Sequence, residues 1–409
     1  MTQKHRAVFI NNESDKQGFI SALLRGSGVE GFEHLKGYRG DLFSKLALDR
    51  FIEEEEIHDS KILTANTSQT LRSMSSGERK KALLTYLLKS APDFLILDNP
   101  FDNLDMASQE ALKHTLEEKA CDVVLIQIIS RKKDLLPFIK VYYSLKGNQV
   151  FPIEQLEEDK PAFTETLIPG PLKEIAYDGK YLVELKEVSV SYEGTAILKA
   201  IDWKICSNEF WQLKGKNGSG KTTLLSMITG DNPKGYGQQI FLFGKLKGSG
   251  ESIWDIKKMI GYFTPAMVDR FKGYHTLEHM LISGLMDSIG LYIRPTEAQI
   301  RLAGEWLELL DMRSLRHSYF HDLSMGQQRI IMCARAMIKH PLLLILDEPT
   351  AGLDDASAAL FVSLVNKISK ESKTAIIFVS HREEVGLKPQ FIYTLEMSEK
   401  GSLGSVETV

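Results

Sequence analysis

Residues 215–222 read GKNGSGKT, and this stretch limits what the chain can be more than any other. It follows an apolar run at 210–213 and precedes Leu224, Leu225, Met227 and Ile228, which repeat at helical spacing. A loop between a strand and a helix is the setting in which this spacing makes a phosphate-binding loop. Gly215, Gly218 and Gly220, with Asn217 and Ser219 between them, let consecutive backbone N–H groups converge on phosphate oxygens. The helix that follows adds its positive dipole end. Lys221 is expected to reach the β- and γ-phosphates, the Thr222 hydroxyl to ligate Mg²⁺, and Thr223 to join the nucleotide contacts. A ligand-free glycine turn is the plainer alternative, and the flanking strand and helix decide against it. ATP with Mg²⁺ is the expected ligand.

The chain has 409 residues, enough for two or three domains. Fifty basic against fifty-four acidic residues leave −4, so no global field draws nucleic acid, although a local basic patch stays open. The longest apolar runs, such as 342–346 and 375–379, fall far short of the ~18–20 residues that cross a bilayer. The first fifteen residues lack a signal-peptide apolar region. Cys121, Cys206 and Cys333 lack metal-ligand spacing and read as small apolar fillers in a reducing compartment. These features predict a cytoplasmic protein, at most peripheral to a membrane through a partner.

The chain also repeats itself. Ser75-Ser76-Gly77-Glu78 matches Ser324-Met325-Gly326-Gln327; each is followed by a helical pattern, a proline (Pro92, Pro341) and an apolar run ending in Asp98 or Asp347. Serine to aspartate is 23 residues in both, and Asp105 and Asp354 lie 7 further on. A shared register of that length is a duplication. The first copy is read as 1–150, a linker rich in Pro, Glu and Asp as 151–180, and the second copy as 181–409. Both alternate buried-type strands with helices, which predicts an α/β fold with mainly parallel sheets.

In the second copy, 344–354 reads LILDEPTAGLD. An apolar strand delivers Asp347 to its carboxyl end, where it can hold Mg²⁺, and Glu348 is placed to polarise an attacking water. The strand 376–379 ends at Ser380-His381, and His381 is read as a contact to the γ-phosphate and the attacking water. Before a further helix, 321–328 reads HDLSMGQQ, whose serine hydroxyl and glycine N–H can make an anion site. Together these motifs resemble the ATP-binding cassette (ABC) ATPase family. The resemblance implies two tandem ABC-type P-loop nucleotide-binding domains packed head-to-tail, each nucleotide lying between one cassette's phosphate loop and the other's signature. Tyr192 matches the family's adenine-stacking aromatic; a strand aromatic facing the core is the alternative. The family's Q-loop glutamine is replaced by Thr264-Pro265 after the strand 259–263, which weakens the ordinary-transporter reading.

The first copy departs further. In register, 8–19 (VFINNESDKQGF) falls on the phosphate loop: Lys16 aligns with Lys221 and Asn12 with Asn217, but the three glycines become Ile10, Glu13 and Asp15, and Thr222 becomes Gln17. Carboxylates repel phosphate and side chains bar the backbone's approach. Asn99 stands where Glu348 does, and Arg131 is taken as the counterpart of His381. The strands before the loop, and with them any adenine-stacking aromatic, are read as missing. Lys16 to Ser75 is 59 residues against 103 from Lys221 to Ser324, so the helical subdomain is shortened, and Glu53 to Glu56 read as a solvated helix face. The first domain is therefore expected to be truncated and degenerate, yet it keeps its signature. The resemblance then implies one competent composite site: Lys221, Thr222, Asp347, Glu348 and His381 from the second copy, with Ser75, Ser76 and Gly77 from the first.

The stretches 229–236 (TGDNPKGY), 248–258 (GSGESIWDIKK) and 286–292 (MDSIGLY) are similar to the soluble tandem-cassette branch of the family, the ModF and photorepair PhrA type, labelled molybdenum-transport ATP-binding proteins. The expected activity is ATP hydrolysis that energises a permease. The alternative is an ATP-driven switch, without transport, that docks on a ribosome, nucleic acid or repair complex. Composition offers no signal for nucleic acid.

Overall fold

The computed structural model describes residues 5–11, 14–58, 60–65, 69–102, 104–154, 166–271, 273–381 and 383–409. The chain divides into two compact units, Met1–Asp159 with Gly352–Asp355, and Lys160–Ala351 with Ala356–Val409.

The first unit is built from β1 (Arg6–Ile10), α1 (Lys16–Leu24), β2 (Gly40–Phe43), α2 (Lys45–His58), α3 (Ser76–Lys89), β3 (Phe94–Asp98), α4 (Met106–Lys119), β4 (Val124–Ile129), β5 (Val141–Lys146) and β6 (Gln149–Ile153). Its sheet runs β2-β3-β4-β1-β5-β6, parallel except for the β5–β6 hairpin. Phe94, Leu95, Ile96 and Leu97 are all fully buried, as befits a strand covered by helices on both faces. Strand β6 reaches Ile153, so the segment read as linker begins as an edge strand, with Pro152 where no ladder donor is needed.

The second unit holds β7 (Val183–Tyr192), β8 (Thr195–Ile205), β9 (Phe210–Gly215), α5 (Lys221–Ile228), β10 (Gln239–Leu242), β11 (Lys245–Leu246), α6 (Ile253–Met259), β12 (Ile260–Phe263), α7 (Leu277–Ser283), α8 (Glu297–Leu309), α9 (Met325–Met337), β13 (Leu343–Asp347), α10 (Asp355–Glu371), β14 (Ala375–Val379), β15 (Phe391–Glu396) and β16 (Leu403–Thr408). Its six-stranded sheet, β12-β13-β14-β9-β15-β16, reproduces the order and directions of the first unit's sheet. A four-stranded antiparallel sheet, β11-β10-β7-β8, is added; among the described residues the first unit has no counterpart. Strands β7 and β8 join through Glu193 (φ 48) and Gly194 (φ 84), both left-handed, which suits a tight two-residue hairpin.

The register makes the duplication exact in space: Asp98 pairs across from Ile128, and Asp347 from Val379. Between β12 and α9 the second unit carries α7 and α8, whereas among the described residues the first has only α2 and the short turn Leu71–Ser73 between β2 and α3.

Two expectations need correction. Glu55 does not belong to a solvated face: it is buried, accepting from Thr64 Oγ1 at 3.2 Å and from Leu71 N at 3.1 Å, while Glu53, Glu54 and Glu56 are exposed. With the helical subdomain shortened, this carboxylate ties the loop back to α2. Nor are the cysteines alike: Cys333 is buried, Cys206 partly so, and Cys121 exposed.

Candidate nucleotide site

The phosphate loop of the second unit leaves β9 and enters α5 with Gly220 (φ 90) as the N-cap. That left-handed conformation favours glycine, and a Cβ there would lie 2.7 Å from Leu198 Cδ2. At Gly218 (φ 82) an added Cβ meets nothing within 4 Å, so its requirement is conformational. Lys221 is buried and its ammonium donates to the carbonyls of Gly215 (2.7 Å) and Lys216 (3.0 Å), curling over the loop it belongs to. Ser219 is fully buried and its Oγ has no hydrogen-bond partner among the described residues.

Beside the loop, β13 ends at Asp347. Burial first, and the neighbouring Glu348 second, push its carboxyl up to about 6, against the opposing effects of Tyr262 and Lys221. The Tyr262 hydroxyl donates to Asp347 Oδ2 at 3.4 Å, and burial holds this phenol well above its ordinary range. Glu348 sits at φ 50, and its N–H donates to the Val379 carbonyl at 3.0 Å. Its Oε1 lies 3.1 Å from His381 Nδ1, while His381 Nε2 is buried without a partner among the described residues. With both ring nitrogens protonated, Nδ1 donates to Glu348 Oε1 and Nε2–H is left as a second donor. The structure thus brings the carboxylate pair and the histidine together at adjacent strand ends, as the sequence spacing implied.

Tyr192 ends β7, and the residue is 39% exposed, which excludes the core-aromatic alternative. The signature serine Ser324 caps α9: its Oγ accepts from Gln327 N at 3.3 Å, and Gln327 Oε1 accepts from Ser324 N at 3.0 Å. The first unit copies this box at Ser75 and Glu78, with Ser76 and Gly77 opening α3. Ser75 is therefore the counterpart of Ser324, and Ser76 takes the place of Met325.

In the first unit the loop positions Asn12 and Glu13 lie outside the described residues. Asp15 replaces the glycine N-cap, and its carboxylate accepts from Gly18 N at 2.9 Å, taking a donor of the α1 terminus. Asp15 N–H donates to the Gly147 carbonyl at 2.7 Å. Lys16 Nζ is 3.0 Å from both carboxylate oxygens of Asp98. Asn99 repeats the backbone of Glu348, with φ 43 and an N–H donating to Ile128 O at 2.9 Å. Here a further correction is needed: the strand register makes Ser130, not Arg131, the counterpart of His381. Ile128 pairs as Val379 does, and the second residue beyond it is Ser130, whose N and Oγ reach Asn99 Oδ1 at 3.1 and 3.3 Å. Counting from aspartate to the basic residue misplaced it by one.

Comparison with known proteins agrees with this geometry. The ABC transporter family model matches residues 198–351. The Escherichia coli ABC transporter ATP-binding protein ModF is 35% identical over 348 residues, 79% of this chain and 69% of that protein. The chain belongs to the ABC ATPase family. An uncharacterised ABC transporter ATP-binding protein of Schizosaccharomyces pombe is 31% identical, over 77% of this chain and 66% of its own length, so the matched part of these relatives is about two thirds of each. A model of ribosome-bound archaeal Pelota and ABCE1 superposes over 98% of this chain with a TM-score of 0.65 at 14% identity, and shares the fold.

As an ABC ATPase the chain takes ATP with Mg²⁺, and the second unit's residues fit both. The glycine cradle admits no side chain at Gly220, and a buried hydroxyl on Ser219 stands ready for an oxygen. Among the described residues no cluster of three or more His, Cys, Asp or Glu could hold a metal. One carboxylate and one hydroxyl suit Mg²⁺, which keeps waters and substrate phosphates as its other ligands. No helix among the described residues is long and apolar enough to cross a membrane. Sequence reasoning missed Tyr262 on Asp347, because an aromatic in a strand carries no mark of where its hydroxyl goes.

Proposed function

We propose that turnover belongs to the second unit and that the first is catalytically silent. The supporting observation is the fate of the two loop lysines: Lys16 is held by both oxygens of Asp98, whereas Lys221 rests on loop carbonyls that a phosphate can displace. Gly215, Asn217, Gly218, Ser219, Gly220, Lys221 and Thr223 cradle the phosphates, and Tyr192 stacks on the adenine. Thr222 and Asp347 would hold Mg²⁺, which when bound would supply charge neutralisation at the triphosphate. Glu348 accepts the proton of the attacking water, and His381, protonated on both ring nitrogens, fixes the carboxylate's orientation through the 3.1 Å contact while donating Nε2–H to the γ-phosphate. Ser75, Ser76 and Gly77 are assigned to nucleotide contact on the family resemblance, and Ser76→Arg should lower the ATPase rate if that assignment holds. Glu348→Gln is the decisive test: it should trap ATP and abolish turnover, and an unchanged rate would overturn the reading.

For the output we infer a cytoplasmic ATP-driven cycle of conformational change. Energising a permease, for molybdate or another solute, is the reading ModF's name suggests. The switch without transport is favoured by one feature: at the Q-loop position β12 runs into the turn Pro265–Arg270, and no glutamine is present there. Affinity capture with the Glu348→Gln chain in ATP discriminates the two. A permease in the eluate supports transport; a ribosome, nucleic acid or repair complex supports the switch.

A further inference from the structure

The stretch 229–236 is used by none of the chemistry above, yet it is tightly bound to the nucleotide loop's own helix. Asn232 is 8% exposed and fully engaged. Its N–H donates to Ser226 O (3.0 Å), its Oδ1 accepts from Lys234 N (3.0 Å), and its Nδ2 donates to Ser226 Oγ (3.1 Å) and to the Tyr192 hydroxyl (2.8 Å). Lys234 Nζ lies over the Tyr192 ring, 5.7 Å from its centroid. Asp231 anchors the same turn to α6 and to Thr229, through Lys257 at 2.9 Å and Thr229 Oγ1 at 2.7 Å.

Tyr192 would otherwise be poorly held. It stands at the tip of the β7–β8 hairpin, next to the two left-handed turn residues, with an exposed ring. Helix α5 begins with Lys221 and ends at Ile228, next to the turn carrying Asn232. One rigid element therefore carries a phosphate-binding residue at its start and supports the exposed ring beyond its end. We infer that Asn232 is a positioning residue for base recognition: by clamping the Tyr192 hydroxyl it holds the ring at a set distance from the phosphate cradle, for a purine nucleoside triphosphate. Lys234 occupies part of the ring's surroundings and lends it a cation–π contact. The inference rests on the reading of Tyr192 as the adenine-stacking residue.

The test is steady-state ATPase kinetics of the full chain with Asn232→Ala, Tyr192→Phe, Tyr192→Ala and the Asn232→Ala/Tyr192→Phe pair. Loss of one hydrogen bond should raise KM for ATP about three- to tenfold in each of the first two, with kcat unchanged. The pair should be no worse than the worse single variant, since both remove the same bond. Tyr192→Ala should raise KM further, because the ring goes too. Inhibition by inorganic tripolyphosphate, which has no base, should be the same in Asn232→Ala as in the unaltered chain. If Tyr192→Ala leaves KM where it was, the stacking reading falls and takes this inference with it. If Tyr192→Ala raises KM but Tyr192→Phe and Asn232→Ala do not, Tyr192 keeps its role and Asn232 loses the one proposed. Additive effects in the pair, or weakened tripolyphosphate inhibition in Asn232→Ala, would equally overturn it.

Discussion

Two loops hold the same place in two sheets of identical order, and they differ in where their charges go. In the first unit the lysine is neutralised by the strand-end aspartate, and the helix terminus is capped by Asp15. In the second, among the described residues, the aspartate is left without a cation at salt-bridge distance and Ser219 Oγ and His381 Nε2 have no hydrogen-bond partner, while the aspartate's carboxyl is pushed up to about 6. Sheet order and strand register are common to both, but the helix entry is not: Asp15 sits at φ −77 where Gly220 sits at φ 90. A binding site is thus distinguished by groups the fold declines to satisfy, whose partners are ligand atoms.

That contrast can be broken most forcefully at Glu348 in the second unit and at Lys16 in the first. Glu348→Gln should lower the ATPase rate by roughly 10²–10⁴-fold, because a general base is removed while its shape is kept. Lys16→Ala should leave the rate nearly untouched; a comparable loss from both would end the asymmetric account. Next in size is Gly220→Ala. The left-handed φ of 90 and the 2.7 Å approach to Leu198 should cost about 2 kcal/mol in thermal unfolding and abolish ATP binding. Asp15, at the same position in the first unit, already carries a side chain.

The two aspartates should respond with opposite signs. Burial, reinforced by Glu348, raises the Asp347 carboxyl from 3.8 to about 6. A carboxyl whose folded pKa is raised penalises the folded state increasingly as pH climbs from the unfolded to the folded value, and fully above it. Asp347→Asn, without nucleotide or Mg²⁺, should therefore stabilise the protein by roughly 2 kcal/mol at pH 7.5, the gain vanishing below about pH 4. Asp98→Asn should destabilise it by about 1 kcal/mol, since the partly buried ion pair with Lys16 is lost. Differential scanning calorimetry across pH checks both, and equal signs would refute the contrast. The smallest effect is expected from Asp15→Ala: loss of the α1 cap should cost about 1 kcal/mol and leave ATP hydrolysis alone.

Much of this was legible in the residues. The GKNGSGKT spacing, the apolar runs ending in Asp98 and Asp347, and the serine–glycine turns are local patterns with local causes, and each lies where its pattern put it. What escaped depends on contacts between distant stretches. Glu55 looked solvated within a run of four acidic residues, because its partners Thr64 and Leu71 come from a loop with no periodicity of its own. Ser130 was hidden behind the more conspicuous Arg131, because only strand pairing fixes the count. Tyr262 and Asn232 each act through a single polar atom directed at a residue 85 or 40 positions away, which no spacing rule encodes.

The left-handed backbone shared by Asn99 and Glu348 has an evolutionary corollary. A conformation that L-residues adopt reluctantly is kept at Asn99 as at Glu348, because in each unit the neighbouring strand's carbonyl accepts from that amide. Duplication thus kept the strand-end backbone while the side chain on it changed from carboxylate to amide, so the sheet, not the residue that fills the turn, sets its geometry.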